Sequence, residues 1–104
     1  MIVTTAETLA GHTIGTTLGV ARGNTIRARH VGTDIIAALR NLVGGEVSEY
    51  TKLLAEAREQ AYDRMVADAQ ALGADAIIAM RFSTSTISQG AAEILAYGTA
   101  VKLN

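Results

Sequence analysis

The stretch from Ser48 to Leu72, followed by Gly73, most constrains what this 104-residue chain can fold into. Its apolar residues recur at the i, i+3, i+4, i+7 spacing of one helical face. Ser48 can cap the start of a helix, and Gly73 can adopt the left-handed conformation that ends one. The spacing therefore predicts one long helix. Its apolar face consists of Tyr50, Leu53, Leu54, Ala57, Ala61, Met65, Ala69 and Leu72.

The apolar arc of this helix is wider than a single buried face requires. Ala55, Tyr62 and Val66 extend it sideways until it covers well over half of the circumference, whereas a surface helix needs a stripe of roughly 100°. A chain of 104 residues can bury one modest core, so a second subunit is the expected second cover. The helix therefore predicts a homo-oligomer.

The remaining segments predict a small antiparallel sheet. Residues 13–23, 75–86 and 91–103 alternate as strands do, and a Ser/Thr-rich hairpin connection over residues 83–90 is expected to join the last two. Glycine inside a strand costs stability unless a close backbone approach uses it. The glycines of the first long strand are therefore expected to leave room for a helix or a neighbouring chain. They are Gly15, Gly19 and Gly23.

Shorter elements complete the predicted order. Residues 2–4 can form a short strand, Asn24 is expected to turn the chain, and Asp34 or the threonine before it can cap a short helix over residues 35–43. The predicted class is α+β with the order β-α-α-β-β and one long helix packed on the sheet. The last strand is apolar on both faces, which again predicts a covering subunit.

Composition narrows the possible functions. A net charge of −1 gives no general electrostatic case for nucleic acid or an anionic membrane. The chain has no cysteine, so it has neither a disulfide framework nor a thiolate metal site. Residues 1–11 lack the pattern of a signal peptide, and no apolar run reaches the ~18 residues of a membrane span. We expect one cytoplasmic domain over residues 1–104, with no nucleic-acid or membrane partner.

Several short motifs follow one another in a fixed order along the chain. They are Gly44-Gly45, Ala57-Arg58, Leu72-Gly73-Ala74-Asp75-Ala76 and Tyr97-Gly98-Thr99-Ala100-Val101. In this order and at these spacings they resemble the YbjQ-like family, which is labelled a heavy-metal-binding domain, and the likeness covers essentially the whole chain. The resemblance implies a small dodecin-like subunit that assembles into a ring-shaped homopentamer, and it brings no established enzyme activity.

The family label directs attention to metal ligands. A soft or heavy metal prefers thiolate or imidazole ligands, but the histidines of this chain are only His12 and His30. His30 and Asp34 form the nearby nitrogen and oxygen pair, although Asp34 is also explained as a helix cap. A ring could bring five copies of His30 or Glu46 together near its axis. His30 and Asp34 are therefore the candidate metal ligands.

Charged residues beside the apolar arc of the long helix are candidates for a ligand site. Arg64 and Asp68 are four residues apart and can pair. A charge on a buried face needs a partner, so one interpretation is a structural ion pair at a subunit boundary. The other is a pocket between subunits in which Arg58, with Tyr50 or Tyr62, binds an anionic ligand.

Three functional hypotheses remain open at this point. No serine or threonine lies in a recognisable nucleophile motif, so the sequence favours a non-enzymatic homo-oligomer, a pentamer by resemblance, that holds a small ligand or ion between subunits. The first alternative is metal binding through His30 and Asp34. The second is an enzyme whose active site lies between subunits around Arg58, with Tyr62 and Glu49.

Overall fold

The computed structural model describes residues 1–27, 48–88 and 91–104, and it leaves out the side chains of residues 27, 48–51, 86–88 and 91. The described residues form four strands and one long helix. These elements are β1 (Ile2–Val3), β2 (Ile14–Arg27), α1 (Ser48–Ala71), β3 (Ala76–Ser88) and β4 (Ala91–Leu103). The predicted helix over residues 35–43 lies outside the described residues.

The four strands form one mixed sheet in the order β1-β3-β4-β2. β4 pairs antiparallel with β2 on one side and with β3 on the other. This arrangement confirms the predicted α+β class and the predicted pairing of the last two strands. β1 adds a short parallel pair, Ile2 with Ala76 and Val3 with Ile77, so the sheet is mixed rather than wholly antiparallel.

Two local predictions about the strands are wrong. Asn24 does not turn the chain, because it lies inside β2 opposite Leu95. The connection predicted over residues 83–90 does not begin at Ser83, because the strand predicted over residues 75–86 continues to Ser88 and Ser83 pairs with Leu95 from the other side. Serine and threonine are common in loops, but the β-branched side chain of threonine also suits a strand when a neighbour completes the ladder.

The end of α1 confirms the predicted role of Gly73. Gly73 has a φ of 83°, and its N–H donates to the carbonyl of Gln70 at 3.0 Å. The N–H of Ala74 donates to the carbonyl of Ala69 at 3.0 Å. These two bonds are the Schellman arrangement, which satisfies carbonyls that a helix end would otherwise leave unpaired.

The core lies between α1 and the sheet and is built mainly from small side chains. α1 contributes a fully buried row, spaced by four residues, and it lies mainly on β2 and β4. Because most residues of this row are alanines, the helix axis can approach the sheet closely. The row consists of Ala57, Ala61, Met65 and Ala69, and it faces Ala21, Thr25, Ile77, Met80, Ile94, Ala96 and Ala100.

Gly23 is where α1 and the sheet come closest. A Cβ atom at this position would collide with the backbone of α1 at Ala61 and Met65, and it would lie 2.6 Å from the Cβ of Arg64. The predicted close approach of a helix is therefore confirmed at Gly23. Gly19 has a different role, because it has open space around it and a φ of 126° at a register shift in β2.

The sheet surface opposite α1 is called the open face here. Its residues follow from the strand registers and from the alternation of side chains along each strand. Val20 is 60% exposed, Ile26 58% and Tyr97 38%. In the described part of the chain, α1 covers only the other side. The open face comprises Val20, Arg22, Asn24 and Ile26 of β2, Glu93, Leu95, Tyr97 and Thr99 of β4, and Arg81, Ser83 and Ser85 of β3.

Candidate functional site

Two of the three predicted ligand residues share one flank of α1. Arg58 and Tyr62 are about one helical turn apart, and this flank points away from the free edge of β2. The Arg58 side chain is exposed, whereas Tyr62 is half-buried and packs against the core. The helix barely reaches β3, and Phe82 of β3, on the helix side of the sheet, is 46% exposed. This surface offers a cation and a phenol beside a part of the sheet that α1 does not cover.

Tyr50 does not share a compact site with Tyr62 within one copy of the chain. Both belong to α1, and a rise of 1.5 Å per residue places their backbones about 18 Å apart along the helix axis. The side chain of Tyr50 lies outside the described side chains. A pocket containing both tyrosines would therefore need residues from a second copy.

The described residues do not fit a heavy-metal site. No group of three histidine, cysteine, aspartate or glutamate side chains comes together in residues 1–27, 48–88 and 91–104. Met65 and Met80 are 0% and 6% exposed within the core, so their thioethers pack rather than face a ligand. The predicted ligands His30 and Asp34 lie outside the described residues.

Arg64 and Asp68 bind the free edge of β2. The Arg64 guanidinium donates through Nη1 to the carbonyl of Asn24 at 2.6 Å, and the backbone N–H of Arg22 donates to Oδ2 of Asp68 at 3.0 Å. A sheet edge presents unpaired backbone groups, and charged side chains that occupy them block the addition of another strand. The two residues were expected to pair with each other, whereas the structure directs both to the backbone of β2.

A row of three side chains crosses the open face. Tyr97 lies opposite Arg22 on β2 and opposite Arg81 on β3. Two inter-strand spacings separate the arginine Cα atoms, which is about 10 Å. Arg81 donates through Nη1 to the carbonyls of Thr5 at 2.9 Å and Met80 at 2.8 Å. The row therefore places an arginine on either side of a tyrosine, and arginine side chains attract carboxylates or phosphates.

Sequence reasoning did not find this row. Arg22, Arg81 and Tyr97 are far apart along the chain, and only the registers of β4 with β2 and β3 bring them together. A signal was present, because each residue interrupts a run of small or apolar strand residues. Without the registers, however, that signal does not specify which neighbours meet.

The fold and the surface features define a small α+β protein with one long helix on one side of a four-stranded sheet and an arginine-bearing face on the other. A family model described as "Putative heavy-metal-binding", YbjQ_1, matches residues 1–104. The chain therefore belongs to the YbjQ family, as its motifs predicted. In the described residues, no helix is long and apolar enough to cross a membrane.

Several relatives match over nearly their whole length. A UPF0145 protein of Methanosarcina acetivorans is 59% identical over 99% of this chain and 97% of the relative. One from Dehalococcoides mccartyi is 58% identical over 97% of each chain, and one from Photobacterium profundum is 54% identical over 99% of this chain and 100% of the relative. These names state a family of unknown function.

A solved structure supports the fold. The crystal structure of a protein with unknown function from Pediococcus pentosaceus, assigned to the DUF74 family, matches with a TM-score of 0.66. The match covers 100% of this chain and 98% of the other, at 18% sequence identity. At this identity the likeness concerns the arrangement of the helix and strands alone.

Proposed function

We propose that this protein is a non-enzymatic subunit of a cytoplasmic homo-oligomer, a pentamer in keeping with the family resemblance, that binds a small ligand or ion between subunits. The exposed apolar side chains of the open face carry the proposal. Val20 and Ile26 are 60% and 58% exposed on the same strand. Burying apolar surface contributes about 25 cal/mol per Å². A contact in which a neighbouring copy covers this face is therefore stabilised by the burial of these side chains.

The shape of the chain supports assembly. Its radius of gyration is 16.8 Å and its extents are 54 × 24 × 16 Å. A compact domain of this length has a radius of gyration of about 13 Å. An elongated, thin subunit buries less of its own surface than a compact one does, and contacts with further copies offset that loss.

The proposed ligand is a small anion held at the flank of α1. Arg58 supplies a guanidinium whose donors match a carboxylate or phosphate, and Tyr62 supplies a hydroxyl about one turn away. The uncovered surface beside Phe82 leaves room for a neighbouring subunit to close the site. This closure would exclude water and strengthen the charge-assisted hydrogen bonds.

Metal binding is the second candidate, because the family description favours it. The ligands predicted for it are His30 and Asp34, with five copies of each in a pentamer. Removing the imidazole with His30→Ala is expected to abolish stoichiometric metal uptake, measured by elemental analysis of the assembled protein. Uptake that survives in this variant would contradict the assignment of His30.

Native mass spectrometry of protein purified without added metal or chelator tests the assembly. The expected result is a mass of five 10.8-kDa chains. Reproducible extra mass would define the class of ligand or ion that is bound. A monodisperse 10.8-kDa species at micromolar concentration would contradict the proposal.

Thermal-shift measurements test the ligand site. Inorganic phosphate and small dicarboxylates are the probes, and saturable stabilisation of the wild-type protein is expected. Arg58→Ala should lose this stabilisation while it stays assembled, whereas Lys102→Ala, which removes an exposed cation of β4, should keep it. Equal shifts in both variants would exclude Arg58 as the anion-binding residue.

A further inference from the structure

The outer surface of α1 carries an acidic ridge. Glu56, Glu59 and Asp63 are exposed and follow one another at i, i+3 and i+7, a spacing that places them on one side of a helix. This side is opposite the buried row of Ala57, Ala61 and Met65. The three carboxylates therefore point away from the sheet of their own chain.

The acidic ridge and the arginine row of the open face have the same length. Seven residues of helix separate Glu56 from Asp63, which is a rise of about 10.5 Å. Arg22 and Arg81 lie two strand spacings apart, about 10 Å. Glu59 falls between the outer acids, as Tyr97 falls between the arginines. A helix laid across the strands along this row would place each terminal carboxylate at a guanidinium.

We propose that the acidic ridge of one copy docks on the open face of the next copy, with Glu56 and Asp63 at Arg22 and Arg81 and with Glu59 at the hydroxyl of Tyr97. The inference rests on the proposed homo-oligomer and names the surfaces that form its interface. Both surfaces belong to the same chain, so the contact is head-to-tail. Contacts of this kind close into a ring when the rotation between subunits allows it.

The hydrogen-bond chemistry of the two surfaces is compatible with this contact. Within the described residues the Arg22 guanidinium makes no hydrogen bond, so it is available to a carboxylate of the neighbour. Arg81 is held by the carbonyls of Thr5 and Met80 through a single nitrogen, Nη1. The acid on the open face, Glu93, accepts a hydrogen bond from Nδ2 of Asn24 at 3.0 Å and lies four residues along β4 from Tyr97, about 13 Å away.

Charge reversal with rescue tests this interface. The Arg22→Glu variant places a carboxylate opposite an acidic residue, and the concentration for half-dissociation is expected to rise at least about tenfold. The Glu56→Lys and Asp63→Lys variants should weaken assembly in the same way. Combining Arg22→Glu with one of these two substitutions should restore the half-dissociation concentration of the wild type. The lysine substitution that restores it identifies which of Glu56 and Asp63 meets Arg22.

The controls separate this inference from the proposed function. Glu7→Lys makes the same charge change at an exposed residue outside both surfaces and should assemble as the wild type does. Sedimentation velocity over a concentration series measures each variant, and circular dichroism verifies its fold. If the wild type assembles but all three single reversals leave it unchanged, or if no double variant is rescued, the inference is overturned and the oligomer stands. A monomeric wild type would overturn both.

Discussion

The two faces of the sheet are made from the same strands, yet they are packed in opposite ways. On the helix face, Ala21, Ala96 and Ala100 are fully buried beneath the alanine row of α1. On the open face, Val20 and Ile26 remain more than half exposed. One helix supplies enough apolar surface to cover one face, so the difference shows which side of the sheet the folding of one copy buries and which side it leaves exposed.

The sharpest test of this contrast is a methyl group added to the helix face. Gly23→Ala should destabilise folding by about 3 kcal/mol or more, because the new Cβ collides with the backbone of α1. Ser83→Ala removes a hydroxyl from the exposed open face and is the control, with an expected effect within about 0.5 kcal/mol. Urea unfolding measures both, and a Gly23→Ala protein as stable as its control would contradict the close contact.

Truncation of the largest buried side chain on α1 should cause the next largest loss of folding stability. Met65 is fully buried, and Met65→Ala is expected to cost about 3 kcal/mol through lost burial and the cavity left behind. Gln70→Ala, on the exposed surface of the same helix, should be close to neutral. Similar unfolding midpoints for the two variants would show that the helix is not anchored through Met65.

The bonds of α1 to the edge of β2 should contribute less. Asp68→Ala leaves the N–H of Arg22 without its carboxylate partner, and the expected loss is about 1 kcal/mol, since the site borders solvent. Asp68→Asn keeps an acceptor oxygen and should retain part of that stability. Chemical denaturation and light scattering together test this bond. An Asp68→Ala protein that is as stable as the wild type and forms no larger aggregates than the wild type would contradict edge protection.

The smallest expected effect is an increase in folding stability, caused by a substitution at Thr25. Thr25 is 4% exposed on the helix face, and its buried Oγ1 has no hydrogen-bond partner among the residues that the structure describes. Thr25→Val replaces the hydroxyl by a methyl group of similar size and should stabilise the fold by about 1 kcal/mol. Thr99→Val on the open face is the matched control, with little change expected. A destabilised Thr25→Val protein would show that the hydroxyl has a partner in solution.

Predictions from sequence succeeded where the signal was local. The apolar period of α1, its end at Gly73 and the strand of residues 91–103 each depend on residues close in sequence, and the structure has all three. The YbjQ family was also predicted correctly from short motifs along the whole chain. The predicted metal pair, His30 and Asp34, lies outside the described residues and stays a prediction.

The alternation predicted over residues 13–23 is interrupted in β2 for a physical reason. Strict alternation would place Thr16 and Val20 on the same side of the strand. The register shift between Thr17 and Gly19 inserts one extra residue, so Thr16 pairs at Lys102 and Val20 at Thr99, on opposite faces. A one-residue shift of this kind reverses every later side chain, and the sequence does not reveal it.

The sequence by itself determined the long helix, its glycine end, the α+β class and the family, because helix periodicity, capping and motif order are properties of neighbouring residues. The tertiary structure alone decided that Arg64 and Asp68 bind the edge of β2 and that Arg22, Tyr97 and Arg81 form one row. Such contacts depend on strand register and on the position of α1 over the sheet, which the packing of many distant residues sets together.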